Sequence, residues 1–397
     1  MLPYFSEKSG NPASRTHSFG WIAEEAVKSA RERVANLINC SEQEIIFTSG
    51  STEAINLAIK GVFENYQSKG RHIVTVATEH RAVLDTCKAL EKKGAEVTYL
   101  PVNNEGLIDL NLIEKSITDS TILVCVMFAN NETGVIQSMR SIADIVHSRG
   151  SILMSDATQA VGKIPVDIQA EHIDLLCLSA HKLYGPKGAG ALFVRRKNPR
   201  VTLYPLIHGG GHERGLRSGT LNVPAIVGLG KASEFAKAEM GEEGLRISAL
   251  RAFFEEALMS LPEQACKNLP EQAFKNLPEQ ACKNLPEQAF KNLPEQAYIK
   301  TNVVTINGHI KNRLPNISSL AFKGFKADQL ITKMPEIAVA AGSACSSAIA
   351  EPSHVLTAMG LSQEEAYSSI RFSLGKYTSR EEVEYVVEKV KTVLGEQ

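Results

Sequence analysis

Along the first half of the chain, short apolar runs recur between longer stretches whose apolar residues return every three or four positions. The runs fall at 44–48, 72–76, 95–100, 121–128, 151–155, 173–178 and 188–194. Unbroken apolar runs this short predict strands buried on both faces. Between them, a spacing such as Ile55, Ala58, Ile59, Val62, Phe63 predicts a helix with one buried stripe. This alternation predicts an α/β domain with a mostly parallel seven-stranded sheet over residues 1–238. From 239 to 397 a smaller α+β domain is expected. Its last helix is predicted over Ser379–Leu394, with Val386, Val387, Val390 and Val393 on one face.

The second domain is interrupted. Over 261–300 the chain reads LPEQACKN, LPEQAFKN, LPEQACKN, LPEQAFKN, LPEQAYIK, five units of eight residues. That period is shorter than the roughly 20–50 residues of helical repeat arrays. A proline in every unit breaks any continuous helix, although each Asn-Leu-Pro-Glu could start one turn. The segment reads as a tandemly expanded surface excursion. The alternative is a partner-binding repeat that uses Cys266 and Cys282.

Candidate chemistry gathers at the ends of the apolar runs. Lys182 leaves the run Ile173–Leu178, where a primary amine can lose its proton cheaply and condense with an aldehyde. Pyridoxal phosphate (PLP) is such an aldehyde. It also needs a carboxylate at its pyridine nitrogen, a flat neighbour and a donor-rich phosphate cradle. Asp156 closes the run Ile152–Met154 and could supply the carboxylate. Gln159 could donate to the phenolate oxygen, and His80 could lie on the ring. The turn Thr48-Ser49-Gly50-Ser51-Thr52 precedes a helix, so its backbone N–H groups and the helix dipole suit an anion. Ser179 and His181 could add donors. Taken alone, a His or Asp at a strand end is more often a cap or turn residue, and the turn before the helix suits an ordinary N-capped helix equally well.

Composition narrows the class only slightly. A chain of 397 residues, 43% hydrophobic, is long enough for two domains. A net charge of −1 offers no basic excess for direct nucleic-acid binding, and no apolar run reaches membrane-spanning length. Seven cysteines without paired metal spacing suit a reducing compartment, and no metal site is expected. With no signal peptide at its start, the chain is expected to be cytoplasmic.

Several motifs, in order, carry a resemblance. Thr78-Glu79-His80, Asn130-Asn131-Glu132-Thr133-Gly134, Asp156-Ala157-Thr158-Gln159 and Ser179-Ala180-His181-Lys182 resemble those of class V, fold-type I PLP enzymes. Gly209–Arg214 through Arg217-Ser218-Gly219-Thr220, and Gly342-Ser343-Ala344-Cys345-Ser346-Ser347, resemble the group I cysteine desulfurases of the NifS/IscS kind more narrowly. The resemblance runs from about Gly10 to about Leu394, interrupted once.

The resemblance implies Lys182 as the PLP lysine, His80 as the stacking ring, Asp156 at the pyridine nitrogen and Gln159 at the phenolate. It implies Asn131 between ring and substrate, and a phosphate site of Ser51, Thr52, Ser179 and His181. Thr220 would join that site from the second subunit of a homodimer. Arg371 would hold the substrate carboxylate with its two-pronged donor array. Cys345 would be the nucleophile and would carry persulfide, with transient contact to an iron–sulfur cluster as a further expectation. The implied reaction converts L-cysteine to L-alanine and hands sulfur to acceptor or scaffold proteins, for iron–sulfur cluster assembly or tRNA thiolation. The start Met1–Phe5 resembles a point well inside other members, so their opening strand and Ala-Thr-Thr loop are expected to be missing. Two further readings stand beside this one: another class V activity such as selenocysteine lyase, and an impaired paralogue that keeps PLP or partner binding.

Overall fold

The computed structural model describes residues 1–261, 303–341 and 352–395, and in it all seven predicted runs become strands of one sheet. They are β1 (Ile45–Thr48), β2 (His72–Val76), β3 (Glu96–Leu100), β4 (Thr121–Cys125), β5 (Ile152–Asp156), β6 (Leu175–Ser179) and β7 (Gly190–Val194). Their order is β1-β7-β6-β5-β4-β2-β3. All neighbours run parallel except the pairs made by β7, which is antiparallel to β1 and β6. Six strands are buried at every residue; only the edge strand β3 is not. Burial on both faces explains why they read as solid apolar runs rather than as alternation.

Helices cover both faces. These are α1 (Ser18–Leu37), α2 (Ser51–Tyr66), α3 (Arg81–Glu91), α4 (Leu110–Ser116), α5 (Met139–Ser148), α6 (Ile168–Glu171) and α7 (Val223–Met259). On one face Val27 and Val34 of α1, Ile142 and Val146 of α5 and Leu229 of α7 share a core. On the other, Ile55, Ile59 and Val62 of α2 meet Val83 and Cys87 of α3. All five stripe residues expected for α2 are buried.

The long helix α7 belongs to both halves of the molecule. Its early turns pack in the large core through Ile226 and Leu229, and its last turns put Ile247, Phe254 and Leu258 into a second core. The 238/239 division therefore falls inside one continuous 37-residue helix, not in a linker. The second unit carries β8 (Val304–Ile306), β9 (Ile317–Phe322), β10 (Ala340–Ala341) and β11 (Ser369–Ser373), antiparallel in the order β10-β11-β9-β8. Helices α8 (Ala327–Thr332), α9 (His354–Ala358), α10 (Gln363–Tyr367) and α11 (Arg380–Gly395) complete it. Within α11, Val387, Val390 and Val393 are buried as expected, joined by Val383, while Val386 is only partly so. Residues 262–302, with nearly all of the octapeptide segment, and the stretch holding Cys345 lie outside the described residues.

Strand order positions the site. The chain steps from β2 outward to β3 and then returns to β4 on the other side of β2. Loops leaving the carboxyl ends of β2 and β4 therefore part, opening the kind of crevice in which α/β sheets bind ligands. The second unit closes over that crevice. Leu314 N–H donates to the Gly134 carbonyl at 2.8 Å, and Gly134 lies at φ +79° with an added Cβ only 3.2 Å from Ile317 Cβ. Glycine is required there for both reasons.

Candidate active site

The first component is an anion cradle at the start of α2. Its N-cap is Gly50, which offers no side chain to satisfy the N–H groups of the first turn. Glu53 is the acidic residue in that turn, and it is turned to structural use. Its carboxylate accepts Ser49 N–H at 2.8 Å and pairs with Arg217 at 2.8 Å, and these bonds hold its pKa below the ordinary value against the opposing effect of burial. The β6 exit adds Ser179, whose Oγ shares a 2.9 Å hydrogen bond with His181 Nδ1 and lies 3.6 Å from where a Gly50 Cβ would stand. Burial first, then the charges of Lys182, Lys187 and Lys163, push His181 below its usual pKa. The turn and strands meet so closely that a Cβ on Gly190 would sit 2.6 Å from Gly50 Cα. The α2 start, with Ser51 and Thr52, thus faces Ser179 and, hydrogen-bonded to it, His181.

The second component is a pair of buried acids. Asp156 ends β5 with 6% exposure, and its Oδ1 accepts Thr158 N–H at 3.0 Å. Glu79 is 1% exposed; Oε1 accepts Met127 N–H at 2.5 Å while Oε2 has no partner. Burial, reinforced by the Asp156 charge, raises the Glu79 pKa well above its ordinary value. The next residue, His80, caps α3 and accepts Ala82 N–H at Nδ1 at 3.1 Å, leaving Nε2 to carry the ring proton.

The third component joins the two units. Lys182 is half-buried in the short turn after β6. Gln159 lies in the turn after β5, and its Oε1 accepts from Lys163 Nζ at 2.7 Å. Arg371, on β11, donates through Nη1 to the Asn131 carbonyl at 2.7 Å. Next to Asn131, Glu132 accepts from Ser353 Oγ, the N-cap of α9. Burial lifts Glu132 to about 7 in spite of that bond and of Arg371 and Arg81.

Two expected site residues stand apart. Thr220 is exposed on the loop after Glu213–Gly215, with no hydrogen bond to the cradle among the described residues. Cys345 lies outside the described residues; the strand that leads to it, β10, pairs Ala340 with Arg371. Reasoning from sequence assigned no role to Lys163, to the buried Glu79, or to the Glu53–Arg217 pair. None of them carried a local signal, because each relation depends on a turn or contact outside regular helix.

Several buried polar atoms around the crevice lack partners: Asn131 Oδ1, Thr158 Oγ1, Arg371 Nε and Glu79 Oε2. Buried polar groups are nearly always satisfied, so such a cluster fits a polar ligand. An uncapped helix start for a phosphate, a buried carboxylate, an amide and an amine match PLP group by group.

Comparison with known proteins agrees. The profile of the class-V aminotransferases (Aminotransferase class-V) matches residues 1–277 and 286–386. The chain belongs to the class-V aminotransferase family. It is a PLP-dependent enzyme of that family. Among curated relatives, "Cysteine desulfurase IscS" of Proteus mirabilis (strain HI4320) is 46% identical over 386 residues, covering 97% of this chain and 85% of that protein. Its namesake from Neisseria meningitidis serogroup A is 46% identical over 395 residues, covering 100% and 88%. Among solved structures, a NifS-like protein superposes with TM-score 0.83 at 35% identity, covering 100% of this chain and 94% of that one. "SspA in complex with cysteine" superposes at 0.72 with 33% identity, covering 95% and 94%. Among the described residues no helix is long and apolar enough to cross a membrane, and no cluster of three metal-ligating side chains occurs.

Proposed function

We propose that this class-V enzyme is a cysteine desulfurase whose sulfur serves iron–sulfur cluster assembly or tRNA thiolation. The observation that carries this reading is the meeting of Arg371 with the Asn131 backbone at 2.7 Å, on the strand that pairs with β10 just before the Cys345 segment. A carboxylate clamp and a thiol segment thus start from neighbouring strands above the PLP crevice. The similarity to full-length desulfurases supports the same reading.

PLP, when bound, supplies an electron sink for the charge left as the substrate's α proton departs. The residues of the chain do the rest. Lys182 holds PLP and moves the α proton, and Asp156 keeps the pyridine nitrogen protonated. Ser51, Thr52, Ser179 and His181 hold the phosphate, Gln159 donates to the ring oxygen, and His80 covers the ring. Arg371 fixes the cysteine carboxylate, with Asn131 between it and the ring. The Cys345 thiolate then attacks the substrate sulfur. A sulfur–sulfur bond forms as the carbon–sulfur bond breaks, its electron pair goes to the substrate carbon, and protonation there yields alanine. Cys345 keeps the sulfur as persulfide. Because thiolate is the reactive form and a free thiol titrates at about 8.5, the rate should rise with pH through that region unless the site lowers it.

The reading includes a homodimer in which Thr220 completes the phosphate site of the second subunit, supported by its exposure and by the bonds of Glu213 and Arg214, just before its loop, to Phe47 and Ile45 of β1. It includes residence in the cytoplasm, supported by the free thiols Cys40, Cys87, Cys125 and Cys177. The test is alanine and sulfide release from cysteine by the purified chain in reductant. Wild type is expected to release both. Cys345→Ser is expected to keep the PLP absorbance and release no sulfide, and sulfide release by that variant would move the nucleophile elsewhere.

A further inference from the structure

Lys163 is a half-buried amine that the reaction just described does not use. It sits in the tight turn that follows Asp156, closed by Ala160 N–H to Ala157 O at 3.0 Å and Lys163 N–H to Ala160 O at 3.0 Å. The chain reverses at Gly162, φ +81°, and Val161 bridges Ile164, which brings the side chains of residues 159 and 163 together. Nζ donates to the side-chain oxygen of Gln159 at 2.7 Å and to its backbone oxygen at 3.2 Å. Among the described residues no carboxylate pairs with it. The charged groups that bear on it are Lys182 and Arg371, both positive; after burial, these charges help push its pKa down to about 7. An amine kept at such a cost among cations, with one side chain as its partner, needs a purpose beyond solvation.

Hydrogen-bond chemistry supplies one. An amide oxygen only accepts, so Nζ donates to it whether the amine is charged or neutral. With Oε1 so occupied, the Gln159 amide has one orientation, and its NH2 faces away from Lys163. We propose that Lys163 is a positioning residue that locks the Gln159 amide with its NH2 free to donate to the phenolate oxygen of PLP. The proposal rests on the reading that Gln159 meets that oxygen. Without the lysine, the amide can flip and present its oxygen to an anionic ring oxygen, which repels it.

The consequence is spectroscopic as well as kinetic. A donor to the ring oxygen, and a cation nearby, both lower the pH at which the lysine-bound cofactor changes its absorbance. In holoenzyme without substrate, Lys163→Met is expected to raise that midpoint by about one unit. Gln159→Ala is expected to raise it in the same direction. Because Lys163 acts through Gln159, the double variant should shift no further than the larger single shift, a non-additive result. Lys163→Arg, which still donates, should restore most of the wild-type midpoint, and far-ultraviolet circular dichroism of each variant separates unfolding from mispositioning. Turnover should fall roughly tenfold in Lys163→Met with little change in PLP retention. A midpoint unchanged in Lys163→Met but shifted in Gln159→Ala overturns the proposal, and so do additive shifts. If Gln159→Ala itself leaves the midpoint unmoved, the Gln159 reading is what has failed, and the proposal falls with it.

Discussion

Lys163 carries an amine depressed from 10.5 to about 7 because burial and the charges of Lys182 and Arg371 all disfavour its ammonium. Below pH 7 folded and unfolded chains both hold the proton, and the folded one bears the whole cost. Between about 7 and 10.5 the unfolded chain binds more protons, so this residue makes stability rise with pH. Lys163→Met in cofactor-free protein should therefore raise the melting temperature at pH 6 and raise it less at pH 9. Equal gains at both pH values in thermal melts would contradict the assigned shift. A stabilising change at a cost in turnover is the usual pattern for a functional residue. Glu79 is the acidic counterpart. Glu79→Ala strands the buried Met127 N–H and should cost about 1–3 kcal/mol beyond any cavity effect. Glu79→Gln keeps an acceptor for it and should cost much less, as denaturant midpoints will report. Lys182, Asp156, His80 and Arg371 were legible as residues because each lies beside a run or within a motif. The ionisation states of Lys163 and Glu79 were not, because desolvation depends on what packs around a group.

Among the elements, β1 and the loop bearing Thr220 are locked together by one carboxylate. Glu213 pairs with Arg31 of α1 through both oxygens, at 2.6 and 2.8 Å, and also accepts Phe47 N–H from β1 at 2.7 Å. All three groups are buried. Arg31→Met leaves that charge unpaired and should destabilise the chain by about 3–5 kcal/mol, measured by denaturant unfolding. The proposed phosphate cradle depends on a closer fit still. A Cβ at Gly190 would stand 2.6 Å from Gly50 Cα and 2.7 Å from Leu178 O, and backbone cannot yield as a flexible side chain can. Gly190→Ala should therefore weaken PLP retention, read as loss of cofactor absorbance after gel filtration. The strands themselves were legible, since burial on both faces writes an apolar run. The 37-residue length of α7 was not, because its early turns face the large core and its later turns the small one.

For the molecule as a whole, the octapeptide segment departs from and returns to a single core. Leu261 and Val303, which bracket residues 262–302, are both buried in the second unit's cluster. Loop-closure entropy changes by only about 0.6 kcal/mol per doubling of length. Deleting three of the five units should thus leave the fold intact and alter stability by less than about 1 kcal/mol. A large loss of stability in denaturant unfolding would show that the repeats make contacts the fold needs. The sequence alone determined the seven strands, the helical stripes and the motif residues, because local periodicity and residue chemistry are carried by neighbours in the chain. Only the tertiary structure decided that Arg371 meets Asn131, that Lys163 holds Gln159, and that burial beside Asp156 raises the Glu79 pKa. Those relations depend on strand order at the β2–β4 crevice and on burial, which arise from contacts between distant parts of the chain.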